Sequence, residues 1–174
     1  MKRIVVLLFF VFFLTSYAHA EIQLGQVAPV IELKDKLGGR VDGSPWSSSE
    51  IKGKVFVLFY VDPDVKDLNN MASEALNKEK FPRERFQSVA VINMGATWKP
   101  NFVISSLLKE KQKQYPKTIY VRDYKKALVN KWNISDDNSD ILVFDKEGRL
   151  IFRKDGKLGA DDIKNMLKLI KEYL

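Results

Sequence analysis

The chain has 174 residues, 45% hydrophobic and 29% charged, which suits one domain with its own core and excludes a disordered or low-complexity chain. Its 29 Lys and Arg against 22 Asp and Glu give a formal net charge of +7. There is no cysteine and only one histidine, His19, so thiol chemistry is excluded from the outset.

Lys2-Arg3 precedes an unbroken apolar run from Ile4 to Leu14, and Ala18-His19-Ala20 offers small residues in a cleavage pattern. Residues 1–20 are read as an export signal cut after Ala20, with an uncut anchor as the alternative. The apolar run falls short of the roughly 20 residues of a comfortable membrane span, so the mature chain is expected to carry no stable span. Residues 21–174 are then the functional domain, with neither histidine nor cysteine. That removes Ser-His-Asp and Cys-His sites, dithiol redox chemistry and ordinary zinc sites. Loss of Lys2 and Arg3 lowers the formal charge from +7 to +5. In an exported protein this reads as a solvated lysine-rich surface, and no nucleic-acid partner is expected.

In chain order, Gly25 to Pro29 is turn-like and a short strand is expected over Val30 to Leu33. Gly38-Gly39 reads as a turn, with Arg40-Val41 returning as a second short strand. Ser47-Ser48-Ser49-Glu50 fits a capping box on a single helical turn stopped by Gly53. Val55 to Val61 is seven apolar residues in a row, the pattern of a strand covered on both faces. A helix is predicted from Lys66 to Lys80, with Leu68, Met71, Ala72, Ala75 and Leu76 as its buried stripe and Phe81-Pro82 as its stop. Ser88 to Asn93 completes a βαβ unit with parallel strands.

Met94 to Asn101 is a loop holding Trp98 and Pro100. Ile104, Leu107, Leu108 and Tyr115 mark a second helix closed by Pro116. A strand over Thr118 to Val121 and a short helix around Leu128 and Trp132 follow. Asp140 to Phe144 and Leu150 to Phe152 form a hairpin through Lys146-Glu147-Gly148. Ile163, Met166, Leu167, Ile170 and Leu174 mark a terminal amphipathic helix. The expected class is α/β, a central mixed sheet flanked by helices, in one domain.

A central strand into a helix, a parallel strand, then a terminal hairpin and helix is similar to the thioredoxin-like fold. Gly25 to Leu33, Gly53-Lys54-Val55 and Phe144 to Arg149 resemble its peroxiredoxin-like branch. Redox members carry C-x-x-C after the central strand, where this chain has Asp64-Val65-Lys66-Asp67-Leu68. They also place a cis-proline before the hairpin, where Ser139-Asp140 stands here. More closely, the chain resembles the YtfJ family of exported bacterial proteins. That resemblance rests on Phe81 to Phe86, Ser105-Ser106, Tyr115-Pro116, Lys131-Trp132, Phe144 to Gly148 and Lys154-Asp155-Gly156. It implies a periplasmic location and no established activity or cofactor.

Asp62, Asp64 and Asp67 cluster after the central strand and suggest acid/base work or a hard cation. Against this, Asp-Pro-Asp makes a turn and acids favour a helix start, which is the preferred reading. Asp136 to Asp140 contains D-x-N-x-D, but Ile141 stands where a calcium loop needs glycine, so a polar turn is expected. Trp98, with Pro100 and Phe102, is either a partner contact or, preferably, an anchor for its loop. Ser105 and Ser106 have no histidine to activate them.

The leading functional expectation is a non-redox protein that binds a protein or peptide partner. The loop carrying Asp62, Asp64, Lys66 and Asp67, with Trp98 and the Asn138-Ser139 turn, would form the contact surface. The alternative is a carboxylate-based or metal-dependent enzyme using the same loop.

Overall fold

The computed structural model describes residues 21–174; the expected export signal lies outside the described residues. The strands are β1 (Glu32–Leu33), β2 (Gly38–Arg40), β3 (Trp46–Ser47), β4 (Val55–Val61), β5 (Phe86–Asn93), β6 (Thr118–Asp123), β7 (Ser139–Phe144) and β8 (Leu150–Lys154). The helices are α1 (Asn70–Glu79), α2 (Asn101–Gln114), α3 (Ala127–Trp132) and α4 (Ala160–Tyr173). Six strands form one sheet in the order β2-β6-β5-β4-β7-β8, and β1 pairs with β3 apart from it.

The run Val55 to Val61 is central, as its composition requires. Its alternate residues serve two faces. Phe56, Leu58 and Tyr60 join Trp46, Trp132 and Phe144 in one core, whereas Val55 and Val57 meet Leu76, Ile163, Met166 and Ile170 in another. A third cluster seats α2 through Ile104 and Leu108 on Ala90 and Ile92. Helices α1, α2 and α4 thus cover one face of the sheet, and α3 with the lead-in covers the other.

β4, β5 and β6 run parallel, as the βαβ reading requires, while β7 is antiparallel to β4 and β8 to β7. The capping box also forms: Ser49 N donates to Ser47 Oγ at 3.2 Å, and Ser47 N to Glu50 Oε1 at 3.1 Å.

Three local expectations change. Gly38-Gly39 is not a turn but part of β2, and β1 finds its partner in Trp46–Ser47. The glycines serve close approach: a Cβ on Gly38, at φ +142°, would lie 1.8 Å from the Arg122 carbonyl oxygen. Second, no single helix runs from Lys66 to Lys80. Pro63–Val65 forms its own 3-10 turn, capped by Asp62, and α1 begins only at Asn70, because Asn69 is drawn inward by hydrogen bonds to Ser139 and Gly156. Third, the helix stripe is narrower than its periodicity implies. Ala72 and Leu76 are buried, but Met71 is 62% exposed.

Candidate functional site

The carboxyl ends of the parallel strands carry a belt of buried polar side chains. Pairing sets Val61 beside Ile92, Asn93 beside Asp123, and Tyr60 beside Asp140. On each strand the polar residue continues the alternation of Leu58-Tyr60, Val91, Val121 and Leu142, all in one core. Asp62, Asn93, Asp123 and Asp140 therefore close the same face of the sheet at the same end, and all four are buried.

Each carboxylate or amide in the belt receives donors from a connecting loop. Asp123 accepts from Ala127 N at 2.9 Å, Leu128 N at 3.1 Å and Lys125 N at 3.1 Å, which caps α3. It also accepts from the Tyr60 hydroxyl at 3.2 Å. Burial and the Asp123 charge hold that phenol far above its ordinary value. Asn93 Nδ2 donates at 2.9 Å to both the carbonyl and the carboxylate of Asp136. Lys126 Nζ reaches the same carboxylate at 2.6 Å. Burial alone would raise Asp136, but the bonds from Lys126 and Asn93 outweigh it and hold the acid below its usual range.

Asp140 is the most perturbed acid. Burial, reinforced by the charge of Asp155, pushes it up to about 6, although Ser135 N at 2.8 Å and Gly156 N at 3.2 Å donate to it and Arg153 opposes the rise. An unfolded aspartate titrates near about 3.9, so the native state holds this proton more tightly. Its stabilising contribution is present below about pH 4 and is lost as pH rises through about 6. We expect wild-type stability, followed by urea denaturation, to lose about 2 kcal/mol from this group between those limits. Asp140→Asn removes the titrating proton and should flatten that slope, even though it costs stability at every pH.

Around the belt lie the residues singled out from sequence. Asp62 N donates to the Asn138 carbonyl at 2.9 Å, so the two loops meet as expected. Asp62 Oδ1 accepts from Asp64 N at 2.8 Å, and burial, followed by the charges of Asp64, Asp137 and Asp136, raises its carboxyl. Ser139 pairs with Val61 and is held by Asn69, whose Nδ2 donates to the Ser139 carbonyl at 2.9 Å. Asp64 is hydrogen-bonded and ion-paired to Lys99, which holds it below the usual range, and Lys66 pairs with Asp67 at 2.5 Å.

The acids thus point in different directions. Asp62 faces the core end of the sheet, while Asp64 and Asp67 are each paired with a lysine. Among the described residues, no three His, Cys, Asp or Glu side chains converge as metal ligands. The D-x-N-x-D run bends only over Asp136 to Asn138; Ser139 and Asp140 already belong to β7 and are buried, so the expected polar turn is shorter than the run.

The expectation for Trp98 is overturned. It does not anchor its loop but stands 87% exposed, with Phe102 at 76%. Polar contacts hold that loop instead: Thr97 Oγ1 accepts from Lys99 N at 3.2 Å, and Lys99 reaches across to Asp64. Trp132, in contrast, packs its helix as expected, fully buried with Nε1 donating to the Pro29 carbonyl at 2.8 Å.

Sequence reasoning missed Tyr60, Asn69, Asn93, Asp123 and Asp140 as members of the site. A signal did exist, since Val61-Asp62 and Ile92-Asn93 each end an apolar run on a polar residue. That signal says where a strand ends, not that the ends meet.

The fold is thioredoxin-like, and the loop after β4 holds a proline turn and acids paired with lysines. Among solved structures the chain is similar to the thioredoxin domain of a thiol-disulfide oxidoreductase from Bacteroides vulgatus, with TM-score 0.63, 19% identity, and 88% of this chain and 100% of that chain covered. A peroxiredoxin-like protein from Aquifex aeolicus gives TM-score 0.60 at 14% identity over 87% of this chain and 89% of that chain. The reduced 2-Cys peroxiredoxin of Plasmodium vivax gives 0.58 at 13% over 86% and 96%.

The chain belongs to the family described as "Bacterial protein of unknown function (YtfJ_HI0045)", which it matches over residues 22–173. It is 27% identical to the uncharacterized protein YtfJ of Escherichia coli K12, over 90% of this chain and 89% of that one. It is 28% identical to an uncharacterized protein of Haemophilus influenzae Rd, over 97% and 96%.

Proposed function

We propose that this is a periplasmic, non-redox thioredoxin-like protein that binds a protein or peptide partner at the carboxyl end of its parallel strands. One observation carries the reading. The contact of Lys99 with Asp64 brings the exposed Trp98 loop against the loop after β4, and Asp62 joins that loop to Asn138. These contacts support a shared surface of three segments distant in sequence, at the strand ends where ligands commonly dock in open α/β sheets. The positive start, the apolar run and the Ala18-His19-Ala20 site support export. The absence of cysteine removes thiol-disulfide exchange and supports a non-redox role for the scaffold.

A photo-crosslinking residue at Lys66, introduced in living cells, tests this. A discrete adduct in the periplasmic fraction is expected, weakened by Trp98→Ala and absent when the crosslinker is moved to exposed Lys168 on α4. No adduct, or the same adduct from both positions, would sink the partner reading. The N-terminal residue of the native protein tests export separately, with Glu21 expected.

A further inference from the structure

The outer face of α2 is not explained by packing. Ile104 and Leu108 bury the inner side, yet Phe102, Val103 and Leu107 face outward with Trp98 just before the helix. Burying an exposed Trp, Phe, Val and Leu together is strongly favourable, and monomeric surfaces seldom leave such a group contiguous. Lysines follow it along the chain: Lys109, Lys111 and Lys113 in the second half of α2, and Lys117 beyond it, against a single acid, Glu110. Lys111 lies over the Tyr115 ring at 5.3 Å. Among the described residues, none of Lys109, Lys113 and Lys117 forms an ion pair.

We propose that this face rests on an anionic phospholipid surface, with Trp98, Phe102 and Leu107 entering the headgroup boundary and the lysines meeting the lipid phosphates. Two features favour a lipid occupant over a folded protein. The face is the outside of a helix, with Trp98, Phe102 and Leu107 standing exposed from it. A protein interface wants complementary shape around its anchors, whereas a lipid surface needs only protruding apolar tips flanked by unpaired cations. The side chains also match, because Trp and Lys each join an apolar body to a polar end suited to the headgroup layer. The proposal goes beyond partner binding: Trp98 is common to both surfaces, but the lipid would meet the outside of α2, leaving the Asp62 and Asn138 loops at the strand ends open.

The protein carries its own reporter. Of its three tryptophans, Trp46 and Trp132 are 1% and 0% exposed, so a change of polarity at the surface is read by Trp98. The experiment uses the chain from Glu21 onward, which contains every described element, so that the apolar run of residues 4–14 contributes nothing. With vesicles containing phosphatidylglycerol, co-sedimentation and a shift of emission to shorter wavelength are expected. Both should be weak with pure phosphatidylcholine and should fall as salt is raised.

Phe102→Asp, and separately Lys109→Glu with Lys113→Glu, should each reduce binding about tenfold or more, since one lysine near an anionic surface strengthens binding about fivefold. All three positions are exposed, and an unchanged far-UV circular dichroism spectrum verifies the fold. No shift with anionic vesicles, equal binding to neutral ones, or variants that bind like wild type would overturn the proposal. So would an emission shift produced by periplasmic protein but not by lipid. Failure here leaves the Lys66 crosslink untouched, and failure of that crosslink leaves vesicle binding untouched.

Discussion

Asn69→Asp should destabilise the protein by about 3–5 kcal/mol, measured by urea denaturation at neutral pH. Asn69 is buried between α1, the start of β7 and the loop before α4. Its Nδ2 donates to the Ser139 carbonyl at 2.9 Å, Ser139 Oγ at 3.2 Å and the Gly156 carbonyl at 3.0 Å. Its Oδ1 accepts from Leu158 N at 2.9 Å. Aspartate puts an oxygen where that NH2 meets a cluster of oxygens, and it buries a charge with no cation among those partners. Asn69→Ala leaves the same acceptors unpaired without adding charge, so its cost should be smaller, about 2–3 kcal/mol. The excess loss in the aspartate variant should shrink on acidification, because a protonated carboxyl regains one donor. An aspartate variant as stable as wild type would show that these contacts do not hold the Ser139 turn.

Trp132→Ala should cost about 3–5 kcal/mol and release the lead-in. The indole is fully buried, its ring 5.8 Å from that of Phe144, and its N–H is tied to the Pro29 carbonyl. Ile22 N also donates to the Trp132 carbonyl at 3.2 Å, so this end of α3 holds the lead-in at two points. Removing the ring opens a cavity that the fully buried neighbours Leu128 and Phe144 cannot fill without leaving their own contacts. Limited proteolysis should therefore cut near Gln26 faster in this variant. Trp132→Phe keeps most of the packing and loses the bond to Pro29, so a loss of about 1 kcal/mol is expected.

The two variants probe parts of the protein that were unequally legible. Trp132 could be read as a core residue because it follows Leu128 at helical spacing, a relation contained within five residues of chain. Asn69 could not. It sits inside what the periodicity presents as one helix from Lys66 to Lys80, and its partners lie 70 to 89 residues away. Asp123 behaves likewise: it caps α3 locally, yet what buries it is its placement beside Asn93 across a parallel pair. Gly38 misled in the other direction, since glycine marks turns and close backbone approaches with the same letter.

By itself, the sequence determined the central strand, the parallel βαβ unit, the hairpin and terminal helix, the absence of thiol chemistry, and hence a thioredoxin-like scaffold without its redox residues. These rest on short-range periodicity and on which atoms are present at all, and both are written along the chain. Tertiary structure alone decided that polar ends of neighbouring strands form one buried belt, that Lys99 turns Asp64 from a candidate acid into half of an ion pair, and that Trp98 stands in solvent. Those outcomes depend on strand register and on which helix face is already filled. A pattern of residues proposes a buried face, but only the packed neighbours settle how much of it is covered.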